Sequence, residues 1–199
     1  MSKVKIAGHA SGSGTLTIQA PDTSSSRTIT LPDATGTLLN SDGDGSSLTG
    51  IAGNTPCFQA TNSADQTGLA DNTWTKVEFD TEAFSIGGTY DDTTNYRWTP
   101  GVAGKYYIAF HVSGLSTDTS AHKETLWIIY KNGVAVDETK GYLNQMVNYG
   151  MGGNLTAHAI IDLDADDYVE AYAKNNTNAT TWNITGDTGA FWGYRLIGT

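Results

Sequence analysis

The segment at residues 104–112 restricts the fold of this chain most, because both faces of the strand that it predicts are apolar. The even-numbered positions fall on one side of such a strand: Tyr106, Ile108, Phe110 and Val112. Tyr107 and Ala109 fall on the other side. A strand of an antiparallel sandwich normally has one apolar and one polar face, so we expect a second layer to cover the Tyr107 side. Another copy of the same chain is the simplest second layer.

The rest of the sequence predicts an all-β protein. Gly, Thr, Asn, Asp and Ser separate short runs of Val, Ile, Tyr, Phe and Trp, and no window shows sustained helical periodicity. Residues 56–199 are long enough to bury one sandwich core, whereas residues 1–55 are too short and too poor in aromatic residues to do so alone. Residues 40–54 have the Ser, Asp and Gly composition of a linker, so we place a domain boundary near Thr55.

Charge and hydropathy exclude several classes of partner. A formal net charge of −10 argues against binding to a nucleic acid backbone. No apolar run approaches the roughly 20 residues of a membrane span, and residues 1–6 lead into Gly, His and Ser rather than into the apolar core of a secretion signal. We therefore expect a chain that remains in the cytoplasm in which it is made. Cys57 is the only cysteine, which excludes an intrachain disulfide.

Six segments rich in aromatic or aliphatic residues follow one another after the linker. They are residues 77–84, 96–100, 104–112, 126–133, 163–170 and 191–196. In that order they resemble the antiparallel jelly roll shared by the complement globular head and tumour necrosis factor (TNF). The resemblance covers the chain from about Phe58 to the C-terminus and implies a homotrimer. Within it, Asn132 and Gly133 predict a two-residue hairpin turn, because both residues readily adopt positive φ values.

The resemblance also implies which residues meet at the threefold axis. Tyr107 and Ala109, together with Phe191 near the C-terminus, face the axis, while Trp192 and Tyr194 fill the interior of the sandwich. The alternative is that Tyr107 lies against a loop of its own subunit.

Jelly rolls of this type are also common in bacteriophage virion proteins.

The sequence of the N-terminal segment predicts short alternating β pieces at residues 15–18, 27–32 and 36–39. The phrase at residues 16–38 resembles a segment near the start of phage tail-fibre and virion-decoration proteins, where it leads into a shaft or attachment region. Its apolar residues can be buried only by three intertwined chains or by docking onto another virion protein. A collagen-like stalk is excluded because Gly does not recur at every third residue.

We recognise no catalytic or metal-binding motif in the sequence. The four histidines are scattered, and none forms a recognisable motif with Ser, Cys or a metal-ligand partner. Residues 162–167 begin like a calcium loop, but Asp167 stands where the loop needs Gly and Ala173 where it needs Glu. Calcium binding by a loop remains open from the sequence. We expect no enzymatic activity, no cofactor and no metal.

Trp182, Asn183 and Asp187 are the candidate residues for recognition of a receptor. They lie in a segment rich in Asn and Thr, and an aromatic ring among amide and hydroxyl groups is typical of sugar binding. In the alternative, which we favour, Trp182 and Ile184 are the inward positions of a strand and Asn183 faces water. Two further loops are candidates for surface recognition, residues 116–123 and residues 144–151.

The sequence therefore predicts a homotrimeric structural protein of a tailed-phage virion, assembled in the host cytoplasm. Residues 1–55 are expected to attach to other virion proteins or to form a short shaft, and residues 56–199 to display a TNF-like jelly roll to a cell-surface glycan or protein. The N-terminal phrase favours a tail fibre over a capsid decoration protein. The alternatives are a soluble lectin-like recognition module and a polysaccharide depolymerase, although the long β-helix repeats usual in phage depolymerases are missing.

Overall fold

The structure, a computed structural model, describes residues 11–14, 24–26, 54–116, 122–144, 152–177 and 181–196. The chain divides into two units, residues 1–48 and residues 49–199. All the strands described here belong to the second unit. The β pieces expected between residues 15 and 39 lie outside the described residues, so they stay predictions, as does the domain boundary near Thr55.

The described part of the second unit is built from strands, with one short 3-10 helix, which confirms the all-β prediction for this unit. In chain order the strands are β1 (Cys57–Thr61), β2 (Gln66–Ala70), β3 (Thr75–Lys76), β4 (Thr81–Ile86), β5 (Thr89–Asp91), β6 (Arg97–Thr99), β7 (Gly104–Ser116), β8 (His122–Lys131), β9 (Val134–Ala135), β10 (Gly141–Asn144), β11 (Gly152–Leu163), β12 (Val169–Thr177), β13 (Thr181–Ile184) and β14 (Ala190–Arg195). The 3-10 helix Asp137–Thr139 lies between β9 and β10.

These strands form two antiparallel sheets that pack face to face. In the first sheet β11, β7, β14, β1 and β4 lie side by side in that order. The long strand β7 also pairs with β13 beyond the end of β14, and β13 in turn pairs with β2. The second sheet runs β10, β8, β12, β6 and β5, with β3 on β12 and β9 on β8. Each sheet therefore presents one side to a shared interior and one side outward.

The core between the sheets is aromatic. The alternation predicted for β7 is confirmed, because its even-numbered side chains from Tyr106 to Val112 are all 0% exposed. Phe58 stacks on Trp98 with ring centroids 4.6 Å apart. The Phe191 ring packs edge-on against the Phe58 ring, with the centroids 4.9 Å apart. It is tilted against the Phe79 ring, with the centroids 5.7 Å apart. Burial of such large rings, each worth on the order of a few kcal/mol, holds the two sheets together.

The turn between β8 and β9 is the one that the sequence predicts. Asn132 and Gly133 have φ values of 53° and 75°, the left-handed region that a tight two-residue turn requires. The Asn132 side chain also holds the turn against the neighbouring loop. Its Oδ1 accepts a 2.9 Å hydrogen bond from the backbone N–H of Tyr168, and its Nδ2 donates a 2.6 Å bond to Asp167.

Candidate subunit interface

The first sheet has a side that points away from the core, and we call it the outer face. Rows of residues cross it, because residues paired on neighbouring antiparallel strands share a side. One row runs through Ile86, Cys57, Tyr194, Tyr107 and Ile160. The next row runs through Phe84, Gln59, Trp192, Ala109 and His158. The strand register alone therefore collects apolar and aromatic residues over five strands.

Large apolar side chains remain exposed at both edges of the outer face. On β4, Phe84 is 41% exposed and Ile86 is 53% exposed. On β11, at the opposite edge, Ile160 is 62% exposed. Single exposed apolar residues are ordinary on a protein surface. Their concentration on one side of one sheet, around an aromatic centre, is typical of an interaction surface.

The centre of the outer face consists of half-buried aromatic rings, with the exposed His158 beside them. The Tyr107 ring lies 5.5 Å from the ring of Tyr194 and 6.1 Å from that of His158, measured between centroids. The His111 ring meets the Trp192 ring at 5.5 Å, nearly edge-on. The ring contacts of Tyr107 are thus with side chains of the adjacent strands β14 and β11, and each ring keeps part of its surface open.

The register of β14 corrects one predicted interface residue. Phe191 is 0% exposed and belongs to the core cluster, so its predicted position at the threefold axis is wrong. The two residues expected to fill the sandwich, Trp192 and Tyr194, lie on the outer face instead. Ala109 lies on the outer face as expected but is itself fully buried, since its small side chain sits among larger neighbours.

Gly193 explains why β14 faces this way. A Cβ atom at Gly193 would lie 2.5 Å from Cδ1 of Ile108 and 2.9 Å from Cε1 of Phe58. Both neighbours are core side chains, so the glycine position must point inward. Its flanking residues Trp192 and Tyr194 then point outward. The sequence contained this signal as a single glycine within an aromatic strand, but the contact depends on residues far away in the chain.

The candidate receptor residues are not grouped on an open surface. Trp182 is 0% exposed, and its Nε1 donates a 3.2 Å hydrogen bond to the backbone oxygen of Ala70. The ring cannot stack on a sugar, and the alternative, in which Trp182 and Ile184 point inward, is confirmed. Asn183 is half-buried and accepts a 3.1 Å bond from the Gly68 N–H. Asp187 is exposed. Most of the two further candidate loops, residues 117–121 and 145–151, lies outside the described residues.

The acidic loop between β11 and β12 is used as a turn. Asp167 is only 8% exposed, and its carboxylate accepts bonds from Lys131 Nζ at 2.7 Å, from Asn132 Nδ2 at 2.6 Å and from the Asp164 N–H at 2.7 Å. Burial raises the pKa of Asp167, but these hydrogen bonds outweigh it and hold the pKa below its usual value. Within the described residues no group of three or more His, Cys, Asp or Glu side chains is arranged to hold a metal ion.

The comparisons with known proteins bear on the fold. No protein-family model and no curated protein matches the sequence. Among solved structures, the Eiger TNF from S. frugiperda superimposes with a TM-score of 0.51 at 9% identity, over 72% of this chain and 93% of that one. The domain is a TNF-like jelly roll. The globular domain of the zebrafish complement 1qA protein is a further match, with a TM-score of 0.46 at 14% identity, over 71% of this chain and 98% of that one.

The jelly-roll prediction for the C-terminal domain is thereby confirmed. The described part of this TNF-like jelly roll has no helix with the length and hydrophobicity to cross a membrane. The trimer and the virion remain predictions, and they are taken up as proposals below.

Proposed function

We propose that this chain is a homotrimeric, non-enzymatic virion protein of a tailed bacteriophage that displays a TNF-like jelly roll to the host surface. The outer face of the first sheet is the observation that carries the trimer. Its rings are half covered within one subunit, and its apolar edges are open. Burial of apolar surface at about 25 cal/mol per Å² drives association of such faces. TNF-like jelly rolls usually form homotrimers, which supports the same assembly.

The distribution of apolar residues suits a threefold assembly in particular. In a cyclic trimer each subunit meets its two neighbours through different parts of its surface. The outer face has two such parts, the β4 edge with Phe84 and Ile86 and the β11 edge with Ile160. The aromatic centre around Tyr107 and Trp192 lies between them. One face can therefore contact a neighbour on each side.

Attachment to the virion is proposed from the sequence of the N-terminal segment. Residues 16–38 resemble the start of tail-fibre and decoration proteins, and their apolar residues need partner chains for burial. We favour a tail fibre, with capsid decoration as the second site on the particle. The TNF-like jelly roll would then be held away from the particle by a short attachment or shaft segment.

Host recognition in this proposal is multivalent. Three copies of a weak contact raise the effective affinity by orders of magnitude, so a deep pocket is not required. Since Trp182 is in the core, the receptor-facing surface must use other residues. The second sheet faces away from the proposed interface, and Tyr142 on its strand β10 is 66% exposed. Tyr142 and the exposed Asp187 are the residues that we would test first.

Purified particles provide the experiment. Mass spectrometry and cryo-electron microscopy should find the chain on the phage particle in multiples of three copies. Deletion of residues 1–55 should abolish incorporation while leaving the jelly roll folded. Absence of the chain from particles would overturn the virion assignment and favour a soluble recognition module. Incorporation that survives this deletion would overturn attachment through residues 1–55. Release of reducing sugars from host polysaccharide by the purified chain would contradict the non-enzymatic assignment.

A further inference from the structure

Two of the four histidines lie on the outer face. His158 on β11 is paired with Ala109 of β7, and His111 lies two residues further along β7. The two imidazoles are therefore diagonal neighbours on adjacent strands, a spacing of about 7–8 Å between backbones. His158 rests against the Tyr107 ring and His111 against the Trp192 ring, the same rings that form the aromatic centre. Any partner that covers these rings also covers the imidazoles.

The surroundings offer little compensation for charge on either imidazole. Neither His111 nor His158 forms an ion pair with a carboxylate among the described residues. The titratable groups that the register places on the outer face are Lys105 on β7, Asp162 on β11, Cys57 on β1, Tyr107 on β7 and Tyr194 on β14. Lys105 and Asp162 pair with each other at 3.1 Å, and Glu82 is exposed on the far strand β4. At the end of the sheet nearest His111, the Asp80 carboxylate bonds to Ser63.

We propose that His111 and His158 make assembly of the chain pH-dependent, with stable trimers when both imidazoles are neutral and dissociation when they become protonated. This inference rests on the proposed trimer. Covering an imidazolium with an apolar partner removes it from water without supplying a carboxylate, and that is unfavourable. The threefold repeat multiplies the effect, since one trimer would contain two such imidazoles from each subunit. Contact of the cation with an aromatic ring offsets only part of the cost.

The direction of the pH effect follows from proton linkage. Where an interface excludes the protonated form of an imidazole, the separated subunits bind more protons than the trimer does, so lowering the pH favours the separated subunits. An imidazole in water is half protonated near pH 6.5. At about pH 5.5, each imidazole that must stay neutral in the trimer therefore weakens assembly by a factor of about 10. With six such imidazoles in one trimer, the trimer dissociation constant should rise by up to about a millionfold between about pH 8 and this pH.

Sedimentation velocity on a dilution series of the full chain, at about pH 8 and about pH 5.5, tests the inference. The parent should be trimeric at the higher pH and dissociate at the lower one, with unchanged circular dichroism. A variant with both His111→Gln and His158→Gln should remain trimeric at both. His122→Gln, on the second sheet, is the matched control and should behave like the parent.

The possible results separate this inference from the proposed function. A parent that is monomeric at about pH 8 would overturn the proposed trimer itself. Three outcomes would overturn the histidine mechanism alone. They are equal dissociation of the parent at both pH values, loss of its fold at the lower pH, and a double variant that still dissociates at the lower pH. NMR titration of the imidazole C–H protons in the parent provides a test without substitution. Both rings should titrate in step with dissociation, and titration without dissociation would contradict the mechanism.

Discussion

Replacement of Tyr107 by Ala should separate the trimer without unfolding the subunit. The ring of Tyr107 lies on the outer face of the first sheet, between Tyr194 and His158, and is half-buried within one subunit. Its removal leaves the core side of β7 unchanged, because Tyr106 and Ile108 point the other way and are 0% exposed. The substitution therefore affects the proposed interface much more than the sandwich core.

The size of the effect follows from ring burial at the interface. Truncation of a central aromatic residue at an interface typically costs about 2 kcal/mol or more. A trimer contains the substitution three times, which gives a total of about 6 kcal/mol if the three sites act independently. Since about 1.4 kcal/mol corresponds to a tenfold change in an equilibrium constant, the trimer dissociation constant should rise by about four orders of magnitude.

The assay is sedimentation equilibrium over a wide dilution range, at a pH near 8. Tyr142→Ala is the matched control, because it removes the same side chain from an exposed position on the second sheet. The parent and Tyr142→Ala should stay trimeric at dilutions at which Tyr107→Ala is monomeric. The reasoning would be refuted if Tyr107→Ala and Tyr142→Ala dissociated at the same concentration, or if Tyr107→Ala lost its fold instead of its partners.

Three further predictions test the position of particular side chains. Phe191→Ala should lower the free energy of unfolding by about 3–5 kcal/mol in urea denaturation, and a loss below about 1 kcal/mol would place that ring outside the core. Trp182→Phe should reduce stability through loss of the hydrogen bond to Ala70 but leave adsorption to host cells unchanged, so reduced adsorption with full stability would contradict its assignment to the core. The pKa of Asp167 is lowered from its ordinary value of 3.8 in the folded protein, so the ionised carboxylate stabilises the fold. This stabilisation is complete at pH values above 3.8 and is lost as the pH falls through the lowered pKa. Asp167→Asn should therefore flatten the loss of stability between about pH 5 and pH 2, and parallel pH profiles of the two proteins would exclude this role.

The sequence was most informative where alternation and turn chemistry agreed. In β7 one set of alternate positions is uniformly apolar, and its members are fully buried. The turn at Asn132 and Gly133 depends only on local backbone preference, so two residues were sufficient to locate it. These features follow from interactions between residues close together in the chain, and sequence patterns describe such interactions well.

Sequence patterns could not predict which side chains of β14 point into the core. Residues 190–195 place aromatic side chains at both alternate sets of positions, so alternation does not decide which set is buried, and the resemblance implied that Trp192 and Tyr194 are core residues. The packing of Phe58 against Gly193 decided the opposite register. An error of this kind turns every side chain of a strand to the other face. The observed register places Phe191 in the core, and it places Trp192 and Tyr194 on the outer face that forms the proposed interface.

Trp182 shows a second limit of sequence patterns. Its polar neighbourhood of Asn and Thr is compatible with a binding loop and also with a short strand whose outward residues are polar. Burial in the structure distinguishes the two, and the ring lies inside. Sequence alternation can show that a face is covered, but it does not show whether the same subunit, another subunit or a ligand covers it.

Native mass spectrometry of the intact chain, at about neutral pH and micromolar concentration, tests the proposed assembly most directly. We predict a mass of three chains, and protection of Tyr107 and Trp192 from covalent labelling in that species. A folded species of one chain, with both rings labelled as readily as the exposed Tyr142, would contradict the trimer and the multivalent display that depends on it.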